Sequence, residues 1–385
     1  MSRIVILGAG VMGSALAVPP ASLGGNQVLL IGSPLDDDII GSVNRDRHHP
    51  TLDVSLPTTI EALRNDQLDD DALRQADNIV IGVSSAGVGW ATQRIANAGA
   101  VPVTLALVTK GLVADPEGDA PPITYADALP AELCSTANGI VGIGGPCIAR
   151  ELALGYPTRV TFASRHRANA ERMRADFQND HYRITLDNDI VGVEACAALK
   201  NFLCIGVSAM FTAHPLGDQH AKNPLAALFN QAVVELATLA EWLREASRAR
   251  GQREGVTDAA APDHVPGNEP GHEPGHRPGH AFGQAAGAAF DLAGMGDLHV
   301  TVGGGRNSLL GRHLGEGKTL SATMAGPMQG VTVEGVDTGR ALARGFQSAC
   351  RDRRLDARKL PLTAAILDVI EHDVPFTMDF RTLPG

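Results

Sequence analysis

Aromatic side chains are scarce in this chain of 385 residues, of which Phe, Trp and Tyr make up 4% and apolar residues of all kinds 44%. Small aliphatic side chains must therefore fill most of the core, because protein interiors are close-packed. A chain of this length is expected to form two or three domains and can bury a large core without disulfides.

Cysteine and positive charge are also limited. The cysteines are odd in number and form no C-x-x-C pair: Cys134, Cys147, Cys196, Cys204 and Cys350. This favours reduced thiols in the cytoplasm. The formal net charge of -11 argues against a general nucleic-acid binder, which needs a basic patch. A small anionic substrate still fits, because one Arg and a few backbone N–H groups can hold a phosphate.

Two stretches raise the question of a targeting or membrane segment. The start, MSRIVILGAG, indicates a first strand rather than a signal peptide. The apolar run from Ile190 to Phe211 contains Glu194, Lys200 and Asn201, which are costly in lipid. We therefore expect a helix that is buried in protein and no membrane insertion.

Short aliphatic runs bounded by Gly, Pro or polar residues predict strands in the first half of the chain. Five of these runs are expected to be buried parallel strands, namely Arg3–Gly8, Gln27–Gly32, Asn78–Val83, Val103–Val108 and Ile140–Gly144. Two more runs, Thr158–Ala163 and Arg183–Leu186, predict further strands. The intervening stretches are long enough for crossover helices, so residues 1–188 are predicted to form a doubly wound, Rossmann-like α/β domain that binds a dinucleotide.

Helical periodicity replaces the strand pattern from about Asp189 onward, as in Ala226–Ala246. Residues 189–385 are therefore predicted to form an all-α substrate and catalytic domain. Within it, residues 251–281 include the repeat NEPGHEPGHRPGH, in which frequent Pro excludes helix and central strand. We interpret this segment as a flexible, disordered insertion. A solvated linker is favoured over weak metal binding by its histidines, His272, His276 and His280, and we predict no metal site.

A glycine motif follows the first predicted strand. Gly8 permits a tight turn, Gly10 lets the backbone approach a pyrophosphate, and Gly13 lets the following helix pack close to the strand. The helix N-terminus then offers unpaired N–H groups to the phosphates. This context predicts a dinucleotide site, with Val11 and Met12 completing the motif. Pro19-Pro20 should end or kink the helix early.

The second predicted strand is followed by Ser33, and the carboxylate that usually holds the adenosine ribose is missing there. Three aspartates follow, but they come too late in the chain to be expected as substitutes: Asp36, Asp37 and Asp38. Without a repelling carboxylate, a 2′-phosphate has room and Ser33 is a candidate donor. The pattern slightly favours NADP over NAD.

Lys200 lies in the middle of the apolar run and is the main candidate for chemistry. A buried ammonium needs a partner. Glu194 is six residues away, whereas pairing along a helix needs a spacing of three or four. The partner must come from elsewhere or from a ligand, and such a lysine can act as a general acid/base. A structurally paired lysine is the alternative.

Other polar groups fit a phosphorylated substrate. Lys110 follows a predicted strand at its carboxyl end, where ligands bind in open α/β sheets. Asp297 could orient a lysine. The glycine run at positions 303–305 and Arg306 could hold a phosphate through backbone N–H groups and a guanidinium fork.

Taken together, these segments resemble the NAD(P)-dependent glycerol-3-phosphate dehydrogenase family, especially its archaeal-type branch. The resemblance covers nearly the whole chain except the insertion. It is carried, in order, by GAGVMGSALA, HHPTLDVSLP, VTKGL, GGPCIARELALGYPT, GVEACAALKN, AGMGDL, GGGRNSLLGRHLGEG and VEGVDTGRA.

The resemblance implies a role for each matching position. Lys200 would be the general acid/base at the C2 oxygen of the substrate, with Lys110 and Asp297 as further catalytic residues. The implied substrate-binding residues are Lys110, Gly145, Cys147, Asn201, Asp297, Arg306 and Asn307. The implied cofactor-binding residues are Gly8, Gly10, Val11, Met12, Gly13, Ser33, Lys110, Ala149, Arg306 and Glu334. The cofactor carries the hydride while the protein orients and polarises.

The resemblance also implies a cytoplasmic homodimer that supplies precursors of membrane lipids, with no nucleic-acid partner. The sequence departs from the family pattern at two places: Ser84-Ser85 replaces Pro-Ser after the third strand, and Asn230-Gln231 replaces Thr-Arg. Two alternatives stay open: a dehydrogenase of this architecture for another small phosphorylated or carboxylated alcohol, and a non-catalytic nucleotide sensor.

Overall fold

A computed structural model describes residues 1–100, 102, 104–115, 119–130, 133, 139–216, 219–253 and 284–384 of the protein. The chain divides into two compact units. The first comprises residues 1–111 and 128–194, and the second comprises residues 112–127 and 195–385. Of the insertion predicted at about 251–281, residues 251–253 are helical, and the rest, with its histidines, lies outside the described residues.

An eight-stranded sheet forms the first unit, in the order β10-β9-β8-β7-β6-β1-β2-β5. A short antiparallel pair, β3 and β4, accompanies it. The strands are β1 (Arg3–Leu7), β2 (Gln27–Ile31), β3 (His48–His49), β4 (Val54–Ser55), β5 (Ile60–Leu63), β6 (Asn78–Ile81), β7 (Thr104–Leu107), β8 (Ile140–Gly144), β9 (Thr158–Ala163) and β10 (Tyr182–Asp187). The seven predicted runs all contain strands, and β3, β4 and β5 were not predicted.

Six neighbouring strands of the sheet are parallel, namely β5, β2, β1, β6, β7 and β8. Strand β9 is antiparallel to β8, and β10 is parallel to β9. The sheet continues from β1 to β2 and β5 on one side and to β6, β7 and β8 on the other. In sheets of this kind ligands bind at the carboxyl end of the strand where the order reverses, which here is β1. The first helices are α1 (Val11–Leu16), α2 (Val18–Ser22), α3 (Asp37–Asp46), α4 (Asp70–Arg74), α5 (Val88–Asn97), α6 (Tyr125–Ala128), α7 (Ala149–Ala153) and α8 (Arg167–Phe177).

The break between α1 and α2 confirms the expectation from the paired prolines. Helix α1 ends at Leu16, and Pro19 and Pro20 occupy the first turn of α2. Proline is tolerated there because the first turn of a helix has no intrahelical use for its N–H groups.

In its described residues the second unit is mainly helical, with a short hairpin of β11 (Pro215–Leu216) and β12 (Gln219–His220) and one isolated β-bridge between Val113 and Ile123. Its helices are α9 (Ile190–Ala213, which begins in the first unit), α10 (Lys222–Arg253), α11 (Gln284–Ala289), α12 (Asp297–Gly303), α13 (Arg306–Gly315), α14 (Leu320–Ala325), α15 (Glu334–Arg351) and α16 (Pro361–His372). Helix α9 is long and apolar enough to cross a membrane, but its most apolar stretch is wholly buried in the protein.

Two glycines let α13 lie directly against α9. A Cβ atom on Gly311 would collide with the backbone oxygen of Ile205, and one on Gly315 with that of Ala209. The two glycines are four residues apart and therefore share one face of α13. This glycine seam fixes how the two helices lie against each other, and it places the start of α13 relative to α9.

A buried carboxylate joins α10 to α16. Glu235 is fully buried and accepts hydrogen bonds from the backbone N–H groups of Leu362 (2.8 Å) and Thr363 (2.6 Å) at the start of α16. The Nε2 atom of Gln231 donates to the same carboxylate (2.8 Å). Burial raises the pKa of Glu235, which these hydrogen bonds counteract in part. Gln231, one of the departures from the family pattern, therefore has a packing role.

We expect Glu235→Ala to lower the free energy of unfolding by about 3 kcal/mol, because it leaves two buried N–H groups without their acceptor. Denaturation in urea, followed by circular dichroism, measures the change. Glu245→Ala removes an exposed carboxylate from the same helix and should change stability by no more than about 0.5 kcal/mol. Equal losses in the two variants would contradict the assigned role.

Candidate active site

An ion pair buried in the second unit supplies the partner that Lys200 needs. The Nζ atom of Lys200 lies 2.6 Å from Oδ1 of Asp297, and the two side chains are 5% and 3% exposed. Lys200 is on α9, and Asp297 is the first residue of α12. The expectation that the partner comes from elsewhere in the chain, with Asp297 as a candidate, is therefore confirmed. The pairing provides the countercharge that a buried ammonium requires.

Thr301 is a member of this cluster that the sequence analysis missed. Its Oγ1 atom accepts a hydrogen bond from Lys200 Nζ (2.6 Å) and donates one to the backbone oxygen of Asp297 (2.7 Å). Thr301 lies four residues after Asp297, so both side chains are on the same face of α12. That spacing was the available signal. Together the two residues fix the position of the ammonium group.

A second cluster adjoins Lys200 along α9 and is centred on Glu334, the first residue of α15. One of its carboxylate oxygens accepts a hydrogen bond from Asn201 Nδ2 (3.0 Å), and the other lies 3.2 Å from Nη2 of Arg306. Asn307 accepts a hydrogen bond from the N–H of Gly335 (2.9 Å). The structure thus brings Asn201, Arg306, Asn307 and Glu334 together. The Arg306 side chain is 54% exposed, so it is accessible to a ligand.

The first unit gathers four of its own predicted site residues around one crevice: Met12, Lys110, Gly145 and Cys147. Lys110 follows β7, and Gly145 and Cys147 follow β8, so three of them lie beyond the carboxyl ends of neighbouring strands. Ligands bind at this edge in open α/β sheets. Ala149 is buried at the start of α7. Ser84 is exposed and Ser85 half-buried, just after β6.

The glycine loop between β1 and α1 has the geometry that a dinucleotide needs. Gly8 has a φ of 115°, which favours glycine, and a Cβ atom on Gly13 would collide with the backbone oxygen of Gly8. A Cβ atom on Gly10 would instead meet no atom within 4 Å. The loop is therefore tightly packed at Gly8 and Gly13 and open at Gly10, where a pyrophosphate would approach the N–H groups at the start of α1.

Asp36, which the sequence analysis set aside because it comes late in the chain, lies beside the glycine loop. Asp36 Oδ2 accepts hydrogen bonds from the N–H groups of Ser33 (2.8 Å) and Ala9 (3.1 Å). A turn closed by the Asp36 N–H and the Ser33 oxygen (3.0 Å) folds the chain back beside the glycine loop. The carboxylate therefore lies at the end of β2 after all. The predicted donor, Ser33, accepts a hydrogen bond from the N–H of Leu35 (3.3 Å) through its Oγ atom.

Two family models match the chain. The model of the N-terminus of NAD-dependent glycerol-3-phosphate dehydrogenase matches residues 3–170. The model of the C-terminus of NAD-dependent glycerol-3-phosphate dehydrogenase matches residues 275–378. Together these ranges cover more than half of the chain. The chain belongs to the NAD-dependent glycerol-3-phosphate dehydrogenase family. It is an oxidoreductase that uses NAD or NADP, as the sequence analysis predicted.

Individual glycerol-3-phosphate dehydrogenases are similar over nearly the full length. The NADP(+)-dependent enzyme of Archaeoglobus fulgidus is 29% identical over 95% of this chain and 93% of that protein. The enzyme of Symbiobacterium thermophilum, described as NAD(P)+-dependent, is 29% identical over 97% of this chain and 90% of that protein. The first of these similarities agrees with the resemblance to the archaeal-type branch.

Solved glycerol-3-phosphate dehydrogenases have the same fold. The structure from Coxiella burnetii matches with a TM-score of 0.69 at 22% identity, over 97% of this chain and 96% of that one. The structure from Plasmodium falciparum matches with a TM-score of 0.72 at 14% identity, over 100% of this chain and 95% of that one. The predicted combination of a Rossmann-like domain and a helical C-terminal domain is therefore confirmed.

The position of Asp36 removes the argument that favoured NADP in this dehydrogenase, since that argument depended on a missing carboxylate. We expect Asp36→Asn to raise the affinity for NADPH relative to NADH about tenfold, because a carboxylate repels a 2′-phosphate and an amide does not. Fluorescence titration with both cofactors measures the ratio. Asp37→Asn changes the neighbouring, exposed aspartate and should leave the ratio unchanged; an equal shift in both variants would contradict the prediction.

Proposed function

We propose that this chain catalyses reversible hydride transfer between sn-glycerol 3-phosphate and dihydroxyacetone phosphate, with Lys200 as its general acid/base. The observation that carries the proposal is the buried contact of the Lys200 ammonium with Asp297 and Thr301 (both 2.6 Å). A proton-transferring group works best when its position is fixed and water is kept away. NAD or NADP supplies or accepts the hydride at its nicotinamide ring.

Lys200 handles the proton of the reaction. When the carbonyl at C2 is reduced, Nζ donates a proton to its oxygen, and in the oxidation Nζ takes that proton back. Asp297 keeps the positive charge of the ammonium compensated in a site that excludes water. Thr301 fixes the direction of Nζ, and Asn201, the next residue of α9, is the candidate amide for the reacting oxygens.

Arg306 is the proposed ligand of the substrate phosphate. A guanidinium presents five N–H donors in a planar fork that matches phosphate oxygens. The ion pair with Glu334 holds that fork at the start of α13, and Asn307 follows it on the same turn. In the first unit, Lys110, Gly145 and Cys147 lie together beyond the carboxyl ends of β7 and β8, an edge that we assign to the nicotinamide end of the cofactor.

We also propose a cytoplasmic enzyme, because the sequence has an odd number of cysteines and no C-x-x-C pair, a pattern that favours reduced thiols. The homodimer and the supply of membrane-lipid precursors stay predictions from the resemblance. Light scattering of the purified protein measures the first.

The substrate is tested by oxidation of NADH and NADPH, measured side by side with dihydroxyacetone phosphate and with dihydroxyacetone. We expect dihydroxyacetone phosphate to be reduced with a kcat/KM at least about 100-fold higher, because dihydroxyacetone lacks the group that Arg306 would hold and a charged hydrogen bond is lost. Similar values for the two compounds, or faster reduction of a 2-oxo acid, would overturn the proposed substrate.

The acid/base is tested with Lys200→Ala and Lys200→Arg. We expect kcat to fall at least about 100-fold in both, because alanine carries no proton and a guanidinium does not release one. Lys200→Arg keeps a positive charge beside Asp297, so its cofactor affinity should stay within twofold of the original. Lys318→Ala removes an exposed lysine as the control. Normal turnover in either Lys200 variant refutes the role.

A further inference from the structure

Side chains hold both polar groups of Ala9, the residue between the first two glycines of the loop. Its N–H donates to Asp36 Oδ2 (3.1 Å). Its carbonyl oxygen accepts from Ser14 Oγ (2.9 Å) and lies 3.1 Å from Nε2 of His49. Ala9 and His49 are both fully buried. The loop is therefore held at Ala9 by His49, a residue that the sequence analysis did not single out.

The hydrogen bonds of His49 define which ring nitrogen carries the proton. Nδ1 accepts a hydrogen bond from the N–H of Leu52 (3.1 Å). Because a backbone N–H can only donate, Nδ1 carries no hydrogen, and in the neutral ring the hydrogen is on Nε2. Nε2 is consequently the donor to the Ala9 oxygen. Both nitrogens are used, and the ring is held in one orientation and one tautomer.

This contact orients the next peptide group of the loop. In a trans peptide the C=O of one residue and the N–H of the next point in opposite directions. When His49 holds the Ala9 oxygen, the N–H of Gly10 must point away from His49. The space around Gly10 is open, since a Cβ atom built there meets nothing within 4 Å. A pyrophosphate could therefore approach this residue closely.

We infer that His49 is a positioning residue for the dinucleotide, which acts by holding the Ala9 carbonyl so that the Gly10 N–H faces the pyrophosphate. The inference rests on the proposed cofactor site in the glycine loop. It assigns to His49 a part in cofactor affinity and none in proton transfer to the substrate. When the contact between His49 and Ala9 is lost, we expect the cofactor affinity to weaken and kcat at saturating cofactor to stay unchanged.

The same geometry makes the orientation of the His49 ring sensitive to pH, because its contact with Leu52 needs an Nδ1 that carries no hydrogen. Protonation would place a second hydrogen on Nδ1, directly against the Leu52 N–H. Asp36 favours protonation, whereas His48 opposes it. Of the neighbouring elements, α1 and β4 contain no titratable residue, and α3 contains Asp37, Asp38, Arg45 and Asp46. Burial is the largest influence and lowers the pKa of His49 below its usual value of 6.5. The neutral ring is thus favoured at neutral pH and is lost as pH falls below that lowered pKa.

Two conservative variants separate the contact with the loop from the contact with Leu52. Glutamine can place its Nε2 near that of histidine and keep the donor to Ala9. Asparagine can keep an acceptor for Leu52 but is too short to reach Ala9. Fluorescence titration with NADH and NADPH gives the dissociation constants, and steady-state kinetics gives kcat and the KM for the cofactor. His48→Asn, at the half-exposed neighbour, is the matched control.

We expect the dissociation constant to rise about tenfold in His49→Asn, the value for one lost hydrogen bond, with kcat within twofold. His49→Gln and His48→Asn should stay within threefold of the original chain. Equal affinities in His49→Asn and the original chain overturn the inference, as does an equal loss in the Asn and Gln variants. Absence of cofactor binding by the original chain would instead refute the proposed cofactor site.

A comparison of pH profiles tests the inference even where His49→Asn does not fold. Across the pH at which the His49 ring titrates, located by NMR of its ring protons, the dissociation constant of the original chain should rise as pH falls, while that of His49→Gln, which has no titrating ring, should rise less. Titration of the NADPH 2′-phosphate is common to both proteins and cancels in their ratio. Parallel profiles would overturn the inference.

Discussion

The arrangement of the second unit depends on one requirement: an ammonium group inside an almost wholly apolar helix must have a countercharge. Lys200 meets it with Asp297, which is 97 positions away in the sequence. Because an unpaired buried charge is very costly, α12 must lie beside the middle of α9. That placement brings Thr301 to the same nitrogen. The need to compensate this buried charge thus fixes the positions of the polar groups that we assign to proton transfer.

Much of this site could be predicted from simple spacing rules, and the omissions have physical causes. The six-residue distance to Glu194 correctly indicated a partner outside α9. Thr301 was missed because its spacing of four residues from Asp297 becomes informative only once Asp297 is known to pair with Lys200. Asp36 was misjudged because distance along the chain was counted as distance in space, and a turn at Ser33 makes the two different. His49 was missed because its role depends on a loop 40 positions away.

The fold followed from the sequence to a similar extent. Apolar runs bounded by turn residues located seven strands, since a strand buried on both faces needs such a run. They could not locate β5, whose sequence IEAL is short and contains an exposed glutamate. They also carried no information on the direction of β9, which is antiparallel to β8. Direction depends on how the connecting segment crosses the sheet, and composition does not record that.

The glycine seam between α9 and α13 sets the rotational phase of the helix that begins with Arg306. Since the backbones touch at Gly311 and again one turn later at Gly315, α13 has a single register in which no side chain is trapped in the contact. Inserting one residue ahead of Gly311 would swing the guanidinium around the helix axis by about 100°, far from Glu334. Two positions without side chains thereby fix the rotation of α13 against α9. Insertions within α13 should therefore be much rarer than substitutions on its outer face.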